Sequence, residues 1–354
     1  MLLEDYPMPG TPAVREAAPG RAWAGSRFAH PAPGIDVTAS VASALDEMDA
    51  SGGWHAALEC VVDGQVAGSL VVFKDPWYRS KQRDDVACFG LVTARDERVL
   101  RDLLDKARDV AMKRGCSALR GPVNPPRSLL GYGVQVSGFD APLIAGTSAN
   151  KSEEATPLLE LDAEGYFDSC DRYYNLAQDF DKTLRYIATF DLDRSFRVVN
   201  PDLDHLGDLP ARVAALMNDT LGYRADYQHT SAERLAKQAQ MYRLVPGGEK
   251  LMAFFFDGDT LAGGVIMQPD WFQVLSGQPA TTIIGDIYML APAYQGRRLF
   301  MNCSEYSMRV LQKRGTTYYE HASIHEGTKA VLSSVKNGYA RIVRECRVYE
   351  VATR

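Results

Sequence analysis

The stretch APAYQGRRLF, residues 291–300, has the form of a turn that opens a helix and offers backbone N–H groups to a phosphate. Such a turn wants small residues where the chain nears its ligand. Arg298 and Phe300 stand there instead, with Arg297 as a second cation. Asp286 precedes this turn, inside the apolar run IIGDIYML and directly after Gly285, a residue that permits a bulge. A carboxylate among Ile and Met should have a raised pKa and accept a proton, directly or through water. Further on, YYEHASIHE alternates as a strand, which separates Glu320, Ala322 and Ile324 from Tyr319, His321, Ser323 and His325.

These groups need a scaffold, and the chain carries one twice. VVDGQVAGSLVVFKDPWY (61–78) matches FFDGDTLAGGVIMQPDWF (255–272). Each reads as strand, Asp-Gly turn, Ala-Gly and second strand, a hairpin signature. Downstream, VACFGLVTA (86–94) parallels TIIGDIYMLAP (282–292). Each strand then leads to a helix ending in Lys-Arg-Gly, at 113–115 and 313–315. Basic residues and glycine suit a helix C-terminus. A further strand follows each helix, at 116–123 and 316–325. The pattern predicts an α/β protein of mixed, mostly antiparallel sheets flanked by helices.

The second half adds two helices before its hairpin, at 209–221 and 231–244. Three divisions follow: a Pro/Gly/Ala-rich arm at 1–34 that Trp23 and Phe28 could anchor, a first repeat at 35–190 and a second at 191–354. Between the repeats, 124–186 holds a glycine-rich loop, a candidate substrate wall, and a segment, DSCDRYYNLAQDF, that reads as an aromatic, acidic helix.

The bulk numbers narrow the function. A chain of 354 residues suggests two cores. A net charge of −6 argues against broad binding to nucleic acid or anionic membrane, since no surplus of cations is present. The six cysteines are scattered without a C-x-x-C pair, as expected for reduced thiols of a cytoplasmic protein. Six histidines include no metal-ligand spacing, so no metal is expected. No signal peptide or membrane span is expected either.

The order of elements and the motifs of the second half resemble the GNAT superfamily of N-acyltransferases. The residues that carry the resemblance are Asp286 at its spacing to Gln295, then Pro292, Tyr294 and Gly296, the segment KNGY (336–339) and a closing strand at 341–351. GPVN (121–124) and GFDAPL (138–143) resemble the first half of a tandem-GNAT group. The likeness runs over about 35–354 and is strongest over 255–351. Arg298 and Phe300 fall where the family has small residues, Gly327 where it has Asn, and Ser334 where it often has a Tyr as general acid. The first repeat has TARDERVL in place of the phosphate motif, which implies a scaffold or a pocket wall that holds no pyrophosphate.

The resemblance implies Asp286 as general base, with Glu320, His321 and His325 as further acid/base candidates. It implies that backbone groups of Tyr288, Met289 and Leu290 pair with a pantetheine arm. Gln295, Gly296, Arg297, Arg298 and Leu299 would then face phosphate. Two cations at a helix start lie against its dipole, and a bound anion would supply their reason. The donor implied is acyl-CoA or an acyl-phosphopantetheine on an acyl carrier protein, and the acceptor is a small amine, in specialised metabolism. A non-catalytic binding module and an aminoacyl-tRNA-dependent transferase stand as alternatives.

Overall fold

The computed structural model describes residues 12–17, 36–224 and 226–354. Its contacts divide the chain into two units, one made of the residues through Pro76, Asp84–Tyr173 and Glu345–Arg354, the other of Trp77–Arg83 and Tyr174–Arg344.

In the first unit, β1 (Ala13–Glu16), β2 (Trp54–Val62), β3 (Gln65–Lys74), β4 (Val86–Ala94) and β5 (Ala118–Gly121) lie side by side in that order. All pairs are antiparallel except β4–β5. The β2–β3 turn is Asp63-Gly64, with φ of 51° and 76° at the two positions, the left-handed pair a tight hairpin demands. Its three longer helices are α1 (Thr38–Ala50), α2 (Glu97–Lys113) and α3 (Ser152–Ala163). The Asp96 carboxylate caps α2 by accepting the Val99 N–H. Its buried stripe of Val99, Leu100, Leu103, Leu104, Ala107 and Val110 packs on Leu58, Leu70, Val72 and Phe89 of the sheet.

In the second unit, β6 (Arg197–Val199), β7 (Met252–Asp257), β8 (Thr260–Pro269), β9 (Thr282–Leu290) and β10 (Tyr318–His325) repeat the plan. Again only the last pair is parallel. The longer helices are α4 (Phe180–Ile187), α5 (Leu209–Leu221), α6 (Ala232–Met241), α7 (Leu299–Lys313) and α8 (Lys329–Lys336). α5 and α7 both pack against β8 and β9.

Two expectations change. The boundary falls between Tyr173 and Tyr174 rather than near 190, because α4 packs on α7. The last ten residues return to the first unit, where Tyr349–Ala352 pair antiparallel with β5. Residues 77–83 join the second unit through the pairing of Tyr78–Arg79 with Tyr227–Gln228. The segment read as an aromatic helix is instead a strand, Ser169–Gln178. Tertiary contacts of Asn175 override its local pattern: its side chain donates to Glu320 at 2.7 Å and accepts the Ser323 N–H at 2.8 Å.

The glycine-rich loop is built into the first unit, with Val134–Ser137 paired against Glu345–Arg347. Of the N-terminal arm, β1 docks on β2, while Trp23 and Phe28 lie outside the described residues. All six cysteines are free, five of them buried.

Candidate active site

β9 and β10 pair only from Thr282 to Gly285 and from Tyr318 to His321. Both strands run on, to Leu290 and His325, without pairing with each other. A bulge sits at the point of separation: β8 pairs Met267 with Gly285 and Ile266 with Ile287, leaving Asp286 as the extra residue. A bulge bends its strand and re-aims a side chain. Gly285 is needed beside it, because a Cβ there would come within 2.3 Å of the Tyr319 hydroxyl and 2.6 Å of His321 Nδ1.

The bulge turns the Asp286 carboxylate, which is exposed, toward Gln268, whose amide donates to it. Trp271 Nε1 in turn donates to Gln268 Oε1 at 3.3 Å. That bond fixes which end of the amide faces the acid. Tyr242, fully buried and stacked edge-on with Trp271 at 5.7 Å, has its phenol pushed up by burial and by the Asp286 charge. Asp286 is thus exposed and held by the Gln268 amide rather than enclosed by Ile and Met, which corrects the expected burial.

Alternation along β8 places Val265 and Met267 on one face and Gln268 on the other. Tyr288 pairs with Val265 and Gly285 with Met267, so Tyr288 and His321 lie on the face opposite the Gln268–Asp286 pair. There they line a pocket with Phe300, Ser304, Ser334 and Tyr339 that encloses about 30 Å³, room for a water or two.

Behind the pocket's Tyr288, three hydroxyls form a one-way chain. Ser307 donates to the Cys303 carbonyl at 2.9 Å, so it must accept from Tyr288 at 3.1 Å. Tyr288 therefore accepts from Tyr319 at 2.9 Å. Burial pushes Tyr288 up to about 12. Burial also lowers His321 to about 4, against the opposing effect of a hydrogen bond with the Gly285 backbone. His321 is neutral at pH 7.

Glu320 does not belong to this surface. It is fully buried, and takes Asn175 at 2.7 Å, Tyr318 at 2.7 Å and Arg344 at 3.1 Å. Both of its oxygens are engaged by these donors, a structural role that sets it apart from the open Asp286 carboxylate. His325 accepts the Gly327 N–H at 3.0 Å in the turn after β10, a contact internal to that turn.

The 295–299 loop keeps its shape and changes its charge. Gly296 and Arg298 adopt left-handed conformations, φ 86° and 58°, and α7 starts at Leu299. Among the described residues no acceptor takes the N–H groups of Arg298, Leu299 and Phe300. Arg297, however, is paired with Asp193 at 2.8 Å and Asp257 at 3.2 Å. Arg298 donates to the Asp191 carbonyl at 2.9 Å. The expectation that both cations await a bound anion is corrected for Arg297, which already has two carboxylates.

The first repeat has the same bulge, at Leu91: β3 pairs Val71 with Gly90 and Ser69 with Thr93. Leu91 is buried with φ 53°. There the opening is sealed, since Asn124 accepts the Leu91 N–H at 2.9 Å and the Val123 N–H bonds to Phe89 at 2.7 Å.

Sequence reasoning missed Gln268, Trp271, Tyr319 and Ser307, and the acids Asp193 and Asp257. The Q-P-D-W run at 268–271 was visible as a repeat match, but nothing local aims its side chains at Asp286.

No protein-family model matches the chain, and no curated protein does. Solved structures do match. A tandem GNAT protein from the clavulanic acid biosynthesis pathway is 12% identical, with 97% of this chain and 99% of that one covered at a TM-score of 0.55. A GCN5-related N-acetyltransferase from Sphaerobacter thermophilus is also 12% identical, with 97% and 96% covered at 0.57. A GCN5-related glucosamine N-acetyltransferase region of a fungal multi-domain GH3 β-N-acetylglucosaminidase is 11% identical and covers 98% of this chain and 39% of its own, at 0.61. The chain has the tandem GNAT fold.

No helix among the described residues is long and apolar enough to cross a membrane.

Proposed function

We propose that the protein is an N-acyltransferase that moves an acyl group from a pantetheine thioester to a small amine, with the second repeat as its catalytic unit. The observation that carries this reading is the parting of β9 and β10 at the Asp286 bulge. It leaves one edge of Ile287–Leu290 without a strand partner among the described residues, a row of backbone groups suited to an extended amide-bearing arm. The sealed Leu91 bulge supports a scaffold role for the first repeat.

In this reading the arm lies along β9 on the Tyr288 and His321 face, and the thioester carbonyl reaches through the opening. The amine arrives on the Asp286 face. Asp286 takes a proton from the ammonium form of the amine, directly or through water. The neutral nitrogen then attacks the thioester carbon and passes its second proton to water, the C–S bond breaks, and the sulfur takes a proton from water and leaves as a thiol. Gln268 and Trp271 hold Asp286 in place for the transfer. Ser334 and the committed hydroxyl of Tyr288 offer no ready acid, so the thiol proton comes from water.

The donor fits at its arm and fits poorly at a nucleotide end, where Phe300 fills the place of a small residue and Arg297 is already paired. The test is thiol release from acyl thioesters in the presence of a panel of small amines. Asp286→Asn should lower kcat by about 10²–10⁴ with an unchanged melting curve. Unchanged turnover would remove Asp286 from the mechanism.

A further inference from the structure

The start of α7 has the physical character of an anion seat, with three N–H groups lacking acceptors and two arginines beside them. The chain brings its own anion to it. Residues 190–196 run alongside, anchored by buried Leu192 and Phe196. Asn302, in the first turn of α7, donates to the Asp193 carbonyl at 2.6 Å, while the Asp193 carboxylate takes Arg297 at 2.8 Å. The Ser195 N–H and hydroxyl complete its coordination at 3.0 and 2.6 Å, and with Arg297 they hold Asp193 ionised, at about 2.

Arg194 on the same segment reaches the buried Glu305 of α7 at 2.5 Å. Arg297 also stacks over Phe196 and Tyr294, at 5.1 Å from each ring. Two arginines and the two carboxylates of Asp193 and Asp257 sum to no net charge at this loop.

We propose that Asp193 is a specificity-determining residue: a built-in counter-anion that makes this site select pantetheine thioesters without a diphosphate at the α7 start over coenzyme A thioesters. The inference rests on the acyltransferase reading and names the donor class within it. A diphosphate approaching the α7 start finds Arg297 already engaged by the carboxylates of Asp193 and Asp257, so it gains little and meets their charge. An arm ending in a hydroxyl or a single phosphate stops short of the loop and does not pay this cost.

The experiment compares acetyl-pantetheine, acetyl-4′-phosphopantetheine and acetyl-CoA as donors, and pantetheine and CoA by titration calorimetry, on the full chain. Wild type should use acetyl-pantetheine and acetyl-4′-phosphopantetheine with kcat/KM values within about threefold of each other and about tenfold above that for acetyl-CoA. Asp193→Asn keeps the Ser195 contacts and removes the charge; it should lower KM and Kd for the CoA species about tenfold and leave the pantetheine species unchanged. Asp257→Asn should shift the same ratio by a smaller factor, and it replaces the first variant if that one does not fold.

A tenfold preference of wild type for acetyl-CoA, or an unaltered CoA-to-pantetheine ratio in both variants, overturns the proposal. Absence of turnover with every donor would count against the acyltransferase reading instead. The calorimetric ratio still decides the role of Asp193 in that case, and no binding of either ligand to wild type or variants overturns it as well.

Discussion

The Asn124 side chain accepts the Leu91 N–H at 2.9 Å, and this bond closes in the first repeat the opening that the second repeat keeps at Asp286. A buried bulge N–H without an acceptor costs about 1–3 kcal/mol. Asn124→Ala should therefore lower the unfolding free energy obtained from denaturant titration by that amount. Turnover per folded molecule should stay at the wild-type level, because the bond is structural. A loss of kcat with no loss of stability would assign the first repeat a catalytic part.

The orientation of the Gln268 amide depends on Trp271, whose Nε1–H holds Oε1 and so points the NH₂ group at Asp286. Trp271→Phe keeps most of the buried ring and removes that donor. The amide is then free to flip and set its oxygen against the carboxylate. A three- to tenfold fall in kcat is expected, of the order of one ordinary hydrogen bond of about 1 kcal/mol. Gln268→Leu should fall at least as far. Steady-state rates of the two variants check this; wild-type activity in both would show that Asp286 needs no positioning.

Glu320 should matter to stability alone. Its partner Arg344 is 3% exposed, and removing the acid leaves a buried cation without its counter-charge. Breaking such a pair from one side costs about 3–5 kcal/mol. Glu320→Gln should lower the melting temperature sharply, while the kcat of the remaining folded fraction is retained. A variant that is stable but inactive would return Glu320 to the acid/base candidates.

How far these residues could be read in advance follows from the range of the forces involved. The hairpins, the Lys-Arg-Gly helix ends and the duplication are local patterns, and the structure carries all of them. The bulge at Asp286 was legible from Gly285, because glycine next to a lone acid in an apolar strand is a local signal. The fates of Glu320 and Arg297 were not. Glu320 meets Asn175 and Arg344, and Arg297 meets Asp193 and Asp257, all distant along the chain. The reading of 168–180 as helix failed for the same reason, since Asn175 is held by β10.

Arg298 tests whether the loop keeps a glycine's backbone without the glycine. Its φ of 58° costs an L-residue about 1–2 kcal/mol. Arg298→Ala loses the bond to the Asp191 carbonyl and keeps the strain; Arg298→Gly loses the bond and relieves it. The glycine variant should be more stable than the alanine variant by about 1 kcal/mol in chemical denaturation. Equal stabilities would mean that the turn relaxes around Arg298.

His321 gives the pH prediction. Its ordinary value of 6.5 falls to about 4 in the folded protein, chiefly through burial. A folded state that holds the imidazole neutral binds fewer protons than the unfolded chain between these values, so stability rises with pH across the window. The contribution is fully present above about 6.5 and is lost as pH falls toward 4, with a limiting slope of about 1.4 kcal/mol per pH unit. His321→Gln removes the titrating group and should flatten the curve of unfolding free energy against pH between 4 and 6.5. Other acids contribute to both proteins alike, so the difference curve isolates the imidazole. A difference that stays flat over this range, or one that grows as pH rises above 7, would show that His321 is not held neutral in the pocket wall.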